Sequence, residues 1–64
     1  MYPKLLEVME ENNITDKDIA ALLKIPYTTV RDRTRGKYSF TFEQAMLINK
    51  ELFPSYSSET LFKQ

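Results

Sequence analysis

Apolar residues recur at helical spacing along most of the chain and divide it into short amphipathic segments. In the first segment, Leu5, Val8 and Met9 fall on one helical face. Pro3 suits the first position of a helix, because its missing N–H has no intrahelical partner there. The Asn pair that begins at Asn12 supplies a stop, since Asn tolerates the left-handed conformation. These signals predict a first helix over residues 3 to about 12.

The second segment has the clearest start signals in the chain. Thr15 and Asp18 have the capping-box spacing, and Ile14 and Ile19 flank this cap at the spacing of a hydrophobic staple. The pattern predicts a second helix from Asp16 to Leu23. Its inner face consists of Ile19, Ala20 and Leu23.

The third segment is almost entirely polar. Pro26 ends the second helix, and a helix over residues 27 to about 35 follows, closed by Gly36. Val30 is its only aliphatic anchor, with Thr34 one turn further along. A helix that is polar nearly all round does not persist alone. Either it is poorly held, or its outer face is reserved for a polar partner.

Two more helices complete the predicted all-α fold of four to five helices in one domain, residues 1–64. Thr41 and Gln44 form a second capping box, which predicts a fourth helix over residues 42–53. Ser57 caps a short last helix over residues 58 to about 63. The expected core stripe of the fourth helix is Phe42, Ala45, Ile48 and Leu52, widened by Met46 and Leu47.

Composition excludes several function classes. The 64 residues include no Cys, no His and one Gly, which removes disulfides, most zinc sites, the usual general base and Gly-rich phosphate loops. Glu7, Glu10 and Glu11 fall at mostly solvent-facing positions, without a paired acid and base in a cleft. We therefore expect no catalysis, cofactor, metal or small-molecule substrate. Since no apolar run suits a signal peptide or membrane span, we expect a cytoplasmic protein without a membrane partner.

Charge is unevenly distributed, although the formal net charge is zero. Residues 1–23 sum to −3, residues 24–37 to +4 and residues 38–64 to −1. The basic segment contains Lys24, Arg31, Arg33, Arg35 and Lys37, against Asp32 alone. A local basic stripe, rather than the total, is the electrostatic footprint of nucleic-acid binding.

Two short helices joined by a tight turn, the second basic and polar, form a helix-turn-helix pattern. Residues 14–30 resemble the helix 2–turn–helix 3 core of lambda-repressor-like (Cro and XRE-type) DNA-binding domains. Residues 35–37 resemble the motif that closes their recognition helix, and residues 42–45 and 59–62 resemble their helices 4 and 5. The similarity is closest to short Gram-positive phage and prophage regulators, in which a Lys-x-x-Phe segment follows the recognition helix, here residues 37–40.

This resemblance implies a transcriptional regulator that inserts helix 3 into the major groove of a double-stranded DNA operator. Because one domain of this size buries a modest area on DNA, we expect dimers on two half-sites, with helix 5 and its flanks as a first guess for the dimer surface. The base-reading positions, together with the adjacent Arg, are Tyr27, Thr28, Arg31 and Asp32. The phosphate-contacting positions are Thr15, Lys17, Thr29, Arg35, Lys37 and Tyr38.

The chain departs from the family pattern at five positions. Lys24 stands in the turn where the family usually has Gly, and a positive φ there costs on the order of 1 kcal/mol. Pro26 occupies the usual Ser or Thr cap of helix 3. Asp16 stands where Gln often touches phosphate, and its charge would repel one. Arg33 and Thr34 replace what is often a large apolar residue.

Simpler interpretations of the candidate residues stay open. The Arg residues at 31, 33 and 35 fan over about 200° of the helix, so some are expected to be solvated surface. For Tyr27, the alternative to base reading is a packing role. For Asp32, the alternative is a salt bridge with a neighbouring Arg or Lys. Thr28 and Thr29 are also candidates for capping helix 3. The alternative function is a protein-interaction module on the same fold, such as an antirepressor or antitoxin.

Overall fold

The computed structural model describes residues 2–64, which form five helices and no strand. The helices are α1 (Pro3–Glu11), α2 (Asp16–Leu23), α3 (Tyr27–Thr34), α4 (Phe42–Leu52) and α5 (Ser58–Leu61). The all-α expectation is confirmed, and most predicted bounds hold to within one residue. The exception is α5, which ends two residues before the expected position. Among residues 2–64, no helix combines the length and the apolar character needed to cross a bilayer.

Side-chain caps fix the starts of α2 and α4, as the capping-box spacings predicted. At α2 the backbone N–H of Thr15 donates to Asp18 Oδ2 at 2.8 Å, and the Asp18 N–H donates to Thr15 Oγ1 at 3.4 Å. At α4 the corresponding distances between Thr41 and Gln44 are both 3.1 Å. Each box satisfies two backbone donors that the first turn of a helix leaves free.

Left-handed residues end the first three helices. Asn13 follows α1 with φ of 57°, and Gly36 follows α3 with φ of 88°. In both places the next N–H reaches back five residues, from Ile14 to Met9 O and from Lys37 to Asp32 O. This is the Schellman arrangement, which satisfies carbonyls at a helix end. Lys24 has φ of 58° at the end of α2, so the conformational cost expected of this residue is present.

The core is shared among all five helices and the segments beside them. α3 and α4 each contribute one buried apolar side chain, Val30 and Ile48. The remaining core therefore comes from α1, α2, α5 and the connecting segments. Its buried apolar members are Tyr2, Leu5, Val8, Met9, Ile19, Ala20, Val30, Phe40, Ile48, Phe53 and Leu61.

A cluster of three aromatic rings joins the start of the chain to the loop after α3 and to the end of α5. The ring centroids of Tyr2, Phe40 and Phe62 lie 5.6–5.9 Å apart. The backbone N–H of Phe40 donates a buried hydrogen bond to the Tyr2 hydroxyl oxygen at 2.9 Å. The cluster thereby fixes the segment that follows α3 to two distant parts of the chain.

The expected core stripe of α4 is wrong at three positions. Phe42 is 79% exposed, Met46 41% and Leu47 38%. The aromatic residue of this region that is buried in the core is Phe40, which lies just before α4 and packs against Tyr2. With Ile48 pointing inward, helical geometry turns Met46 and Leu47 away from the core.

We expect Lys24→Gly to raise the free energy of unfolding by about 1 kcal/mol, because Gly adopts a positive φ without steric cost. Ala21→Gly, at an exposed position inside α2, is the matched control and should lower it by about 0.5–1 kcal/mol. Urea denaturation of both variants measures the difference. A loss of stability in Lys24→Gly equal to that of the control would contradict the strain at residue 24.

We expect Tyr2→Phe to destabilise the protein by about 1–3 kcal/mol, because it leaves the buried Phe40 N–H without an acceptor. Tyr56→Phe is the control, since the Tyr56 hydroxyl forms no hydrogen bond within residues 2–64. The measurement is the shift of the urea midpoint. Equal stability of the two variants would show that the Tyr2 hydroxyl contributes nothing.

Candidate nucleic-acid interface

A tight connection sets α3 directly against α2. Lys24 takes the left-handed conformation, the Ile25 N–H donates to Ala20 O at 3.2 Å, and Pro26 is extended with φ −60° and ψ 144°. The chain thus changes direction within residues 24–26 and enters α3 at Tyr27. Ile19 and Ala20 are the buried residues of α2. We refer to residues 16–34 as the α2–α3 unit.

The two sides of α3 differ sharply in burial. Val30 is fully buried and Thr34 is 1% exposed, so these two side chains face the core. Tyr27, Thr28 and Arg31 are exposed, and they follow one another around the helix from the edge of this buried stripe. Because residues four apart lie on the same side of a helix, Tyr27 and Arg31 share one outward stripe. Only two of the eight residues of α3 are buried, which accounts for its polar sequence.

A buried hydroxyl joins α3 to the start of α2. Thr34 Oγ1 lies 3.2 Å from Asp16 Oδ1 and 3.1 Å from the carbonyl oxygen of Arg31. Asp16 is half-buried and turns one carboxylate oxygen toward α3. Sequence reasoning noted Asp16 as a repulsive charge and Thr34 as a departure, and missed that the two form a pair. The sequence signal that could have indicated this pair is that Thr34 has a hydroxyl donor and Asp16 a carboxylate acceptor.

Three side chains from α2 and α3 come together on the exposed surface, and we call them the Tyr27 cluster. Lys17 Nζ and Arg31 Cζ each lie 5.9 Å from the centroid of the Tyr27 ring. A cation near the face of an aromatic ring is attracted by about 0.5–1 kcal/mol at an exposed site. The Tyr27 ring thus lies near two positive charges that come from different helices.

The loop after α3 is held by a side chain of α3 itself. Arg33 Nη1 donates to Ser39 O at 2.7 Å, while its buried Nε has no hydrogen-bond partner within residues 2–64. Sequence reasoning left Arg33 open between surface and contact residue; the structure gives it this loop-anchoring bond. On the same loop, Lys37 Nζ lies 5.7 Å from the ring of Tyr38, which is 59% exposed.

Several alternatives for single residues are now resolved. No side chain caps α3 at Pro26, so neither Thr28 nor Thr29 has the capping role considered for it. Asp32 is half-buried and forms no ion pair with any residue of 2–64, so the salt bridge considered for it is absent. Tyr27 is 41% exposed, which does not fit a pure packing role.

The remaining sequence-predicted positions lie in two places. Thr15 uses its hydroxyl in the capping box of α2, and Thr29 is half-buried on α3. Arg35 follows α3 and is exposed, like Lys37 and Tyr38 of the loop. The structure thus brings Lys17, Tyr27 and Arg31 together at one end of α3 and places a second basic and aromatic group after its other end. In the part of the chain that is described, no three Asp or Glu side chains gather as a metal site.

Comparison of the chain with protein-family models, with curated proteins and with solved structures found no significant match.

We expect Asp16 and Thr34 to be energetically coupled by about 1 kcal/mol, because their hydrogen bond is removed by either Asp16→Ala or Thr34→Val. The four proteins of the double-mutant cycle are compared by urea denaturation. Asp16→Asn, which keeps an acceptor oxygen, is the control and should retain most of the coupling. Additive effects of Asp16→Ala and Thr34→Val would contradict a stabilising contact.

Proposed function

We propose that this protein is a sequence-specific, double-stranded DNA-binding transcriptional regulator of the phage or prophage type, with a lambda-repressor-like helix-turn-helix. The observation that carries the proposal is the Tyr27 cluster on the outward side of a docked α3. In this interpretation the α2–α3 unit is the helix-turn-helix, and α3 is its recognition helix. Such a regulator acts in the cytoplasm, where its operator is accessible.

The outward side of α3 has the size and chemistry that base readout needs. A major groove about 12 Å wide admits an α-helix about 10–12 Å in diameter. Arg31 is exposed there, and a bidentate bond from Arg to guanine is the commonest specific contact. Thr28 and Tyr27 stand beside it, and Asp32 offers an acceptor for the amino group of cytosine. These four residues are the proposed base readers.

Phosphate contacts are proposed on both sides of α3. Lys17 reaches the surface beside Tyr27, and the first turn of α2 offers backbone N–H groups near Thr15. Beyond the other end of α3, Arg35, Lys37 and Tyr38 are exposed. Thr29 is the remaining proposed contact. The hydrogen bond that the Thr34 hydroxyl donates to Asp16 supports this arrangement, because it turns one carboxylate oxygen toward α3 rather than toward an approaching phosphate.

The test is fluorescence anisotropy with fragments of the DNA that flanks the gene, at low and at physiological salt. We expect Arg31→Ala to weaken binding to the preferred fragment by about 1–3 kcal/mol. The variant should also show a smaller difference in affinity between the preferred fragment and other fragments. Lys63→Ala removes one exposed positive charge outside the α2–α3 unit, and it should leave that preference unchanged. Circular dichroism establishes that both variants keep the helical fold.

Salt dependence separates this proposal from the alternative of a protein-interaction module. A regulator that neutralises several phosphates loses affinity steeply as salt rises. No binding at low salt, or binding that is equally tight in Arg31→Ala and indifferent to sequence, would contradict readout by α3. The search would then turn to protein partners of the antirepressor or antitoxin kind.

A further inference from the structure

The side of α4 that faces away from the core carries a compact apolar surface, which we call the α4 outer face. It consists of Phe42, Glu43, Met46, Leu47 and Lys50. These five side chains border a shallow hollow of about 310 Å³, and Phe42 is 79% exposed at one end of it. The hollow is open to a side chain from another molecule.

The spacing of these residues places them on one side of α4. Positions 42, 43, 46, 47 and 50 fall within about 140° of the helix when each residue turns about 100°. Ile48, the buried residue of α4, lies on the opposite side. The apolar surface therefore belongs to a stripe that the core of this chain does not use.

The charges on the α4 outer face are arranged symmetrically about its apolar centre. Glu43 and Lys50 lie seven residues apart, about 10.5 Å along the helix axis, with Met46 and Leu47 at the midpoint. Neither Glu43 nor Lys50 forms an ion pair with any residue of 2–64. A second α4 that runs antiparallel across this face brings each Glu43 opposite a Lys50 of the other copy. A parallel helix in register would place like charges opposite each other.

We infer that a second copy of this chain covers the α4 outer face, with the two α4 helices antiparallel about a two-fold axis between Met46 and Leu47. This contact is isologous, because the same surface is used by both copies. Met46 and Leu47 meet their own counterparts beside the axis, and the two Glu43–Lys50 pairs close the ends. The inference replaces α5 as the expected dimer surface, and it stands whether or not the protein binds DNA.

Sedimentation equilibrium of the purified chain without DNA, from micromolar to millimolar concentration, tests the inference. We expect a reversible monomer–dimer equilibrium in the wild type. Leu47→Glu places two carboxylates beside the axis and should weaken association at least about tenfold. Ala21→Glu, which adds the same charge at an exposed position of α2, is the control and should dimerise as the wild type does. Circular dichroism of each variant checks that the helical fold is retained.

A charge exchange tests the antiparallel register. Glu43→Lys and Lys50→Glu each place like charges opposite each other twice, and each should weaken association about fivefold or more. The double variant Glu43→Lys/Lys50→Glu restores both pairs and should associate like the wild type. An equimolar mixture of the two single variants should also dimerise, since every pair in the mixed dimer is complementary.

Three results would overturn the inference. A wild type that stays monomeric at millimolar concentration leaves the α4 outer face to a different protein partner. A dimer that is insensitive to Leu47→Glu uses another surface. A dimer that Leu47→Glu disrupts, while the double variant and the mixture associate no better than the single charge variants, has another register.

Discussion

The attachment of α3 by two buried side chains, Val30 and Thr34, is the constraint on which the rest of the α2–α3 unit depends. An isolated helix of eight polar-rich residues is unstable in water, so its conformation has to come from contacts with the remainder of the chain. Because only these two side chains of α3 are buried, Tyr27, Thr28 and Arg31 remain exposed. Tyr27 and Arg31 can therefore lie together with Lys17 on the surface.

Two hydrogen bonds add to the attachment of α3 that Val30 and Thr34 provide by burial. A hydrogen bond has a direction, unlike an apolar contact, and the bond from Thr34 to Asp16 relates the end of α3 to the first turn of α2. The bond from Arg33 to Ser39 similarly relates α3 to the loop that follows it. Of these residues, Arg33 and Thr34 stand where the lambda-repressor-like pattern that the sequence resembles often has a large apolar residue. The position of α3 against α2 is therefore fixed by a directional hydrogen bond as well as by buried side chains.

Local signals in the sequence predicted the helices, and non-local packing decided what the sequence could not predict. Thr15, Thr41 and Gly36 mark their helix ends through groups within a few residues, so those ends could be predicted. Periodicity alone placed Phe42 in the core, because it does not reveal that Phe40 already occupies the space beside Tyr2. The approach of Lys17 to Tyr27 depends on the angle between α2 and α3, which no local pattern encodes.

The hydrogen bond between Phe40 and Tyr2 joins residues 38 positions apart, whereas the bond between Thr34 and Asp16 spans 18. Closing the longer loop costs more chain entropy, so we expect the aromatic cluster to form after the contact between α2 and α3. We expect the same order of stability in native-state fluctuations. When the aromatic cluster opens, the loop that carries Lys37 and Tyr38 is still attached through the bond from Arg33 to Ser39, and α3 is still attached to α2 by buried side chains. We therefore expect two levels of local stability, with slower amide exchange in the α2–α3 unit than in this loop.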